Sequence, residues 1–219
     1  MKVEDSVLRR KVTEELEWEP SVDASQIGVA VKNGIATLTG TVLSYPEKTY
    51  AERAVRRVAG VKGVADELAI KLFGSDIRSD SDVAQAAVNS LILNASVPKD
   101  GVKVLVEDGW VSLDGEVEWQ YQRLAAENTV RHLRGVVGIT NRISIKPHLD
   151  ATNVKSKIES AFARQAHLDA NKIQVEALNS EVTLKGSARS MDEKFAAELA
   201  AWSAPGVTKV RNDVIVNAW

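Results

Sequence analysis

One sequence unit occurs three times in this chain, and the repeat limits the possible folds more than any other feature. Gly34 precedes an alternating run that ends at Gly40. The same pattern recurs 75 positions later, from Gly109 to Gly115, and the third run ends 71 positions further on at Gly186. A register kept over tens of residues is the signature of duplicated structural units. The 219 residues are therefore predicted to form three units, at 1–73, 74–147 and 148–219.

The joins between the units are short and polar, at residues 74–82 and 147–150. Ser79, Asp80 and Ser81 in the first join are candidate N-caps for the helix that follows. Neither join is a low-complexity linker, so we expect neighbouring units to pack against each other.

Each unit begins with an amphipathic helix, because apolar residues recur there every four positions. These residues are Leu8, Val12 and Leu16, then Val83, Ala87 and Leu91, then Val154, Ile158 and Phe162. A second helix later in each unit has a stripe of small residues that includes Ala51, Ala126 and Ala197. The small stripe predicts close packing against a sheet.

The segments between and after these helices alternate apolar and polar residues, which indicates strands of a sheet with one covered face. The order is helix, strand, strand, helix, strand, and the strand–helix–strand crossover makes the last strand parallel to the second. The predicted fold class is α+β: three tandem two-layer αββαβ units, each a three-stranded mixed sheet covered by two helices on one face.

Recurring glycines have structural interpretations. Asn33-Gly34 and Asp108-Gly109 are typical of two-residue hairpin turns, and Asn179-Ser180 is a weaker version. The glycine within the second strand lies on the core-facing parity, which we interpret as close passage of a helix over the sheet. The glycine after the second helix is typical of a helix C-cap. The eight positions are Gly34, Gly40, Gly60, Gly109, Gly115, Gly135, Gly186 and Gly206.

These features together resemble the BON domain family, over nearly the whole chain as three copies. The residues that carry the resemblance are Gly34, Leu38, Gly40, Ala51, Gly60, Val61 and Val64; Gly109, Leu113, Gly115, Ala126, Gly135, Val136 and Ile139; and Leu184, Gly186, Ala197, Gly206, Val207 and Val210. The third copy departs from the pattern at Ser180. The resemblance implies a non-catalytic module proposed to bind phospholipid surfaces or other partners. Many relatives are periplasmic or associated with the outer membrane and are induced by osmotic stress.

No pattern typical of a catalytic, metal or cofactor site occurs. The chain has no cysteine, and its histidines, His132, His148 and His167, lack metal-ligand spacing. Nucleophile-elbow, Walker and dinucleotide-binding patterns are missing too. The three copies share no acid, base or nucleophile, although duplicated active sites would repeat one. We therefore expect neither an enzyme nor a bound cofactor.

The charge balance argues against a nucleic-acid partner. Lys and Arg total 28 and Asp and Glu total 30, for a net charge of −2, whereas nucleic-acid binders usually carry a basic excess. No apolar run approaches the roughly 20 residues of a transmembrane helix. The N-terminus lacks the apolar region of a signal peptide. We expect a cytoplasmic protein, or a periplasmic one if a leader has been removed, and the oligomeric state stays open.

Two sets of side chains are candidates for contact with a phospholipid surface or a protein partner. The basic set is Arg56, Arg57, Lys62 and Arg131, and the aromatic set is Trp110, Trp119 and Tyr121. Anionic lipids attract basic residues, and aromatic rings favour the membrane interface. A solvated helix face for the basic set and contacts between repeats for the aromatic set are the alternatives.

The sequence thus favours a non-catalytic BON-type binding module that associates with phospholipid or membrane surfaces in an osmotic-stress context. The alternative hypothesis is a soluble protein-interaction or chaperone-like scaffold built from the three repeats.

Overall fold

A computed structural model describes residues 4–74, 77–146, 153–164, 172–178 and 180–216 of the chain. The described residues form six α-helices and three mixed sheets, one per repeat, which confirms the predicted α+β class. Part of the first join, the whole second join at 147–150, Asn179 of the third hairpin, His148 and His167 lie outside the described residues.

The first repeat follows the predicted order of elements. Its elements are α1 (Asp5–Trp18), β1 (Ile27–Lys32), β2 (Ile35–Val42), α2 (Tyr45–Arg57) and β3 (Gly63–Ile70). β2 is the central strand, between β1 and β3. The predicted stripe of Leu8, Val12 and Leu16 on α1 is buried.

The second repeat has the same order, with its last strand in two pieces. Its elements are α3 (Asp80–Leu93), β4 (Val102–Glu107), β5 (Trp110–Val117), α4 (Gln120–Arg131), β6 (Gly138–Asn141) and β7 (Ser144–Ile145). β4 is antiparallel to β5, and both β6 and β7 pair with β5 in parallel. The predicted cap is confirmed at Ser79, whose hydroxyl accepts a hydrogen bond from the N–H of Asp82.

The third repeat contains α5 (Val154–Arg164), β8 (Ile173–Leu178), β9 (Glu181–Ala188), α6 (Met191–Trp202) and β10 (Lys209–Val216). β8 is antiparallel to the central strand β9, and β10 is parallel to it. This topology confirms the mixed sheet that the crossover rule predicts.

The apolar residues of each repeat are buried between its helices and one face of its sheet. In the third repeat the buried apolar residues of α6 are all alanines, which allows the helix to approach the sheet closely. These alanines are Ala197, Ala200 and Ala201, and Ala204 just after the helix is buried as well. The core of this repeat contains residues of the third repeat alone.

The described residues divide into two compact units that do not follow the repeats one by one. One unit holds the first and third repeats, apart from residues 42–48 and 70–74. The other unit holds the second repeat together with those two segments. In this second unit, Tyr45 packs against the core of the second repeat. Two repeats that are not adjacent in the sequence therefore share one compact unit.

The hairpin turns have the predicted backbone conformation. Asn33 and Gly34 have φ of 53° and 82°, and Asp108 and Gly109 have φ of 50° and 76°. Two consecutive residues with positive φ match the right-handed twist of the strands that the turn joins.

The second strand requires glycine for a reason that differs from the predicted one. An added Cβ at Gly40 would overlap the carbonyl oxygen of Gln26, the residue just before the paired strand β1. Gly115 and Gly186 are crowded in the same way by the carbonyls of Gly101 and Lys172. Their φ values of 117°, 146° and 123° are also those of glycine. The interpretation as a helix crossing is wrong: the glycine makes room for the backbone carbonyl of the residue just before the paired strand.

The glycine after the second helix is also not the helix cap. α2 ends at Arg57, three residues before Gly60. Gly60 is instead the third residue of a turn closed by a hydrogen bond of 3.2 Å from the N–H of Val61 to the carbonyl of Val58. Its φ of 101° suits that turn position, and Gly135 and Gly206 have φ of 90° and 86° in equivalent turns.

Gly40→Ala is expected to destabilise the protein by about 2 kcal/mol or more, because the methyl group overlaps a backbone carbonyl at a strained φ. Urea unfolding measures the change. Gly63→Ala in the same repeat is the matched control, since the nearest atom to its Cβ is 3.9 Å away. An equal loss in both variants would contradict the close approach of the two strands.

Candidate functional site

An aspartate at the start of the first helix ties that helix to the hairpin. The Asp5 carboxylate accepts hydrogen bonds from the N–H groups of Asn33 and Gly34, at 2.8 and 3.1 Å. In the second repeat, the Asp80 carboxylate accepts the equivalent two hydrogen bonds from the N–H groups of Asp108 and Gly109, at 2.9 and 2.8 Å. The carboxylate therefore satisfies the backbone donors of a turn in which both residues have positive φ.

A second recurring polar residue lies in the first turn of the second helix. Glu47 accepts from the N–H of Leu43 at 2.8 Å, and Glu193 accepts from the N–H of Arg189 at 2.7 Å. Gln122 occupies the same repeat position and accepts from Trp119 at 3.0 Å. Such reciprocal bonds satisfy backbone groups that a helix N-terminus leaves unpaired.

A third recurring position joins the last strand to the second helix. The Asn141 amide donates to the carbonyl of Arg123 and to the Glu127 carboxylate, both at 3.1 Å. In the third repeat, Asn212 donates to the carbonyl of Lys194 at 2.9 Å. The repeats therefore do share polar positions, contrary to our expectation from the sequence, but each described one bonds to backbone in its own repeat.

The positions of Asp5 and Glu47 escaped sequence reasoning because the comparison between copies covered mainly apolar, glycine and turn residues. The signal was available, since Asp80 lies 75 positions after Asp5 and Gln122 lies 75 positions after Glu47. Within the described ranges, no group of three or more His, Cys, Asp or Glu side chains is arranged to hold a metal ion. His132 follows α4, and its side chain is exposed.

The arginines proposed from the sequence as lipid contacts are paired with carboxylates. Arg57 on α2 hydrogen-bonds Glu15 at 3.0 Å and Glu19 at 2.8 Å, and so cross-links α2 to α1 and its C-cap. Arg56 pairs with Glu52, one turn earlier on the same helix. Arg131 pairs in the same way with Glu127 at 2.6 Å. The positive charge of all three is compensated within the repeat.

Lys62 differs from these arginines. Its side chain is exposed and makes no ion pair within the described residues, while its aliphatic carbons lie over Gly34. Its backbone N–H donates to the Gly34 carbonyl at 2.8 Å. One exposed lysine does not make a cationic surface.

Two of the ion pairs shift pKa values. The hydrogen bond from Arg57 holds the pKa of Glu19 below its usual range, and the same bond raises the pKa of Arg57. On the open face of the second sheet, the hydrogen bond from Arg142 likewise lowers the pKa of Asp114. Both shifts favour the charged forms and are typical of structural ion pairs rather than of acid–base catalysts.

The aromatic candidates do not form a cluster. Trp110 is half-exposed, covers Gly138 of the neighbouring strand and donates from its indole nitrogen to the Thr140 hydroxyl at 2.8 Å. Trp110 is the first residue of β5, and Trp119 follows its last residue. The two ends of this strand are about 23 Å apart, at roughly 3.3 Å per residue. Tyr121 is 59% exposed in the first turn of α4. Trp110 thus packs on its own sheet and lies far from Trp119 and Tyr121.

An exposed apolar surface occurs instead on the first helix of the second repeat. Val88, Ile92 and Leu93 are 40%, 63% and 85% exposed, and we call them the α3 apolar face. α3 contains no lysine or arginine. The residues equivalent to Val88 and Ile92 are Thr13 and Glu17 in α1, and Glu159 and Ala163 in α5. The α3 apolar face is therefore a feature of one copy, which comparison of the copies could have found.

A groove of about 660 Å³ lies at one end of the second sheet. Its charged lining residues are Lys99, Lys103 and Lys146 together with Asp100, Glu116 and Glu118. Lys146 approaches Glu116 to 3.7 Å. Equal numbers of both charges give the groove no preference for an anion or a cation. As for membrane spans, none of the described helices is long and apolar enough to cross a bilayer.

Asp80→Ala is expected to lower the stability of the second repeat by about 1–3 kcal/mol, because two backbone N–H groups lose their acceptor. Amide exchange at Asp108 and Gly109 should rise together with the loss. The neighbouring variant Ser81→Ala is the control, since that side chain is exposed. Unchanged exchange at both amides in Asp80→Ala would contradict the role of the carboxylate.

The Arg57–Glu19 pair should make stability depend on pH in the acid range. Because the pKa of Glu19 is lowered in the folded protein, its contribution is present above the ordinary glutamate pKa and is lost as pH falls through the lowered value. Glu19→Gln should cost about 0.5–1 kcal/mol at neutral pH and flatten this dependence. Urea titrations at several pH values measure it, and Glu17→Gln on the exposed side of α1 is the control. Parallel curves for Glu19→Gln and the unmodified chain would refute the coupling.

Comparison with known proteins gives one family match along most of the chain. The BON domain family model matches residues 4–71, 79–147 and 150–218. The chain is 28% identical to Osmotically-inducible protein Y of Escherichia coli (strain K12) over 152 residues, which cover 66% of this chain and 74% of that protein. It is 30% identical to a 21 kDa hemolysin of Actinobacillus pleuropneumoniae over 140 residues, or 61% of this chain and 70% of that protein.

A solved structure also aligns along the chain. It is the C-terminal domain of CdsD, the structural protein of the type III secretion system of Chlamydia trachomatis. The alignment covers 98% of this chain and 100% of that domain at 17% identity, with a TM-score of 0.27. A score this low supports no comparison of arrangement or activity.

Proposed function

Because the chain belongs to the BON domain family, we propose that it is a non-catalytic binding module and that it associates with phospholipid surfaces. We also propose an osmotic-stress setting, since one relative is described as osmotically inducible. The recurring polar residues support the non-catalytic part, because each described one is engaged by backbone groups of its own repeat.

The α3 apolar face is the observation that carries the membrane proposal. A helix with exposed apolar side chains on one side can lie in the plane of the bilayer interface and bury them there. Val88 and Ile92 are one turn apart on the same side of α3, so these two side chains can enter the interface together. Leu93 is the last residue of the helix. Neither α1 nor α5 has apolar residues at both positions equivalent to Val88 and Ile92.

The paired arginines shape how such binding depends on salt. Arg56, Arg57 and Arg131 each share their charge with a carboxylate, so they add little long-range attraction to anionic lipid. Binding through the α3 apolar face rests on the burial of apolar surface, which salt does not screen. We therefore expect affinity for vesicles to change little with ionic strength.

Co-sedimentation of the full chain with phosphatidylglycerol–phosphatidylethanolamine vesicles tests the proposal. The double variant Val88→Asp/Ile92→Asp should lower the affinity at least about tenfold, because each buried aliphatic side chain contributes about 1.5–3 kcal/mol. Ile215→Asp is the matched control, since Ile215 is 63% exposed on a strand of another repeat. Circular dichroism checks that both variants fold.

The possible outcomes separate the two functional hypotheses. Vesicle binding by the unmodified chain and the control, but not by the double variant, supports the α3 apolar face as the lipid contact. No sedimentation of the unmodified chain sinks the phospholipid proposal. A concentration-dependent oligomer that only the double variant abolishes would replace it with the protein-interaction scaffold.

A further inference from the structure

We propose that Arg56 and Phe195 form a latch that holds the first and third repeats together. Arg56 lies on α2 and Phe195 on α6, and the guanidinium carbon is 5.7 Å from the centroid of the ring. This distance is within the range of a cation–π interaction. Both residues belong to the compact unit that contains the first and third repeats. The contact therefore joins two repeats that are not adjacent in the sequence.

The surroundings of Arg56 orient its guanidinium for this contact. Glu52, one turn earlier on α2, hydrogen-bonds a terminal nitrogen of Arg56, and both side chains are about one-third exposed. A guanidinium held by a carboxylate at its edge keeps its planar faces free for an aromatic ring. Phe195 remains 42% exposed, so the ring is a surface group and not a member of the buried core.

The pair uses residues that differ between the copies. Arg131 and its partner Glu127 in the second repeat repeat the Arg56–Glu52 arrangement. The positions equivalent to Phe195 are Thr49 in the first repeat and Leu124 in the second. Only the third repeat therefore has an aromatic ring at this position of the second helix. The latch is complementary, with the cation from one copy and the ring from another.

The latch can open without unfolding either repeat. The core of the third repeat is built only from its own residues. In the first repeat, the buried residues of α2 are Ala51, Ala54 and Val55, and Arg56 is not among them. Contact between the two repeats through surface side chains leaves each core intact when the contact breaks.

Hydrogen exchange of the full chain, followed by mass spectrometry, tests the latch. Phe195→Ala should raise exchange in peptides covering α2 of the first repeat about 2- to 5-fold, the effect of losing a partly exposed cation–π contact. Arg56→Gln should raise exchange in α6 by a similar factor. The double variant should exchange no faster than either single variant, because both remove the same contact.

Matched variants isolate the contact from general effects. Arg53→Gln removes a neighbouring arginine of α2 whose guanidinium lies over Tyr50 at 5.9 Å, and α6 should not respond to it. Ile215→Ala removes an exposed apolar residue of the third repeat, and α2 should not respond to it. Phe195→Leu keeps an apolar side chain without a ring face and should behave like Phe195→Ala.

The results decide the proposal in either direction. Effects that cross from one repeat to the other and do not add in the double variant support the latch. Exchange in α2 that stays unchanged in Phe195→Ala overturns it, as do fully additive effects. Normal protection of α2 in Phe195→Leu would overturn the role of the ring face.

Discussion

The covering of one sheet face by two helices is the constraint on which each repeat depends. Three strands and two helices in about 70 residues form a small core, so each repeat depends on the apolar residues that its helices and central strand turn toward that core. The second helix carries alanine at its closest contacts, which lets its backbone approach the sheet. The first helix covers the remainder of that face with larger side chains.

Polar side chains hold the connections between these elements. A carboxylate at the start of the first helix binds the hairpin in the first and second repeats. Glu or Gln caps the second helix, and an asparagine of the last strand reaches back to that helix in the second and third repeats. Each satisfies backbone donors or acceptors that the turns and helix ends leave unpaired. The described members of this set face the backbone of their own repeat, which makes them structural residues.

The three copies resemble one another in their cores and differ on their surfaces. Arg56, Arg57 and Arg131 are compensated by carboxylates on the same helix or on the first helix and its C-cap. The apolar face of α3 and the aromatic ring of Phe195 each occur in a single copy. A core position must fit the same neighbours in every copy, whereas a surface position is free to change. Differences between copies are therefore where separate tasks for the repeats should be sought.

The repeat register, the α+β class, the element order and the buried stripes such as Leu8, Val12 and Leu16 all followed from the sequence. They are set by local periodicity and by turn chemistry, which depend only on residues close together in the sequence. The reason for Gly40 was misread, because the carbonyl that crowds it belongs to Gln26, just before β1 in another segment of the chain. The sequence likewise could not predict the pairing of Arg57 with Glu15 and Glu19 or the separation of Trp110 from Trp119. Each depends on where distant segments meet, and only tertiary packing decides which charges are compensated and which apolar side chains remain exposed.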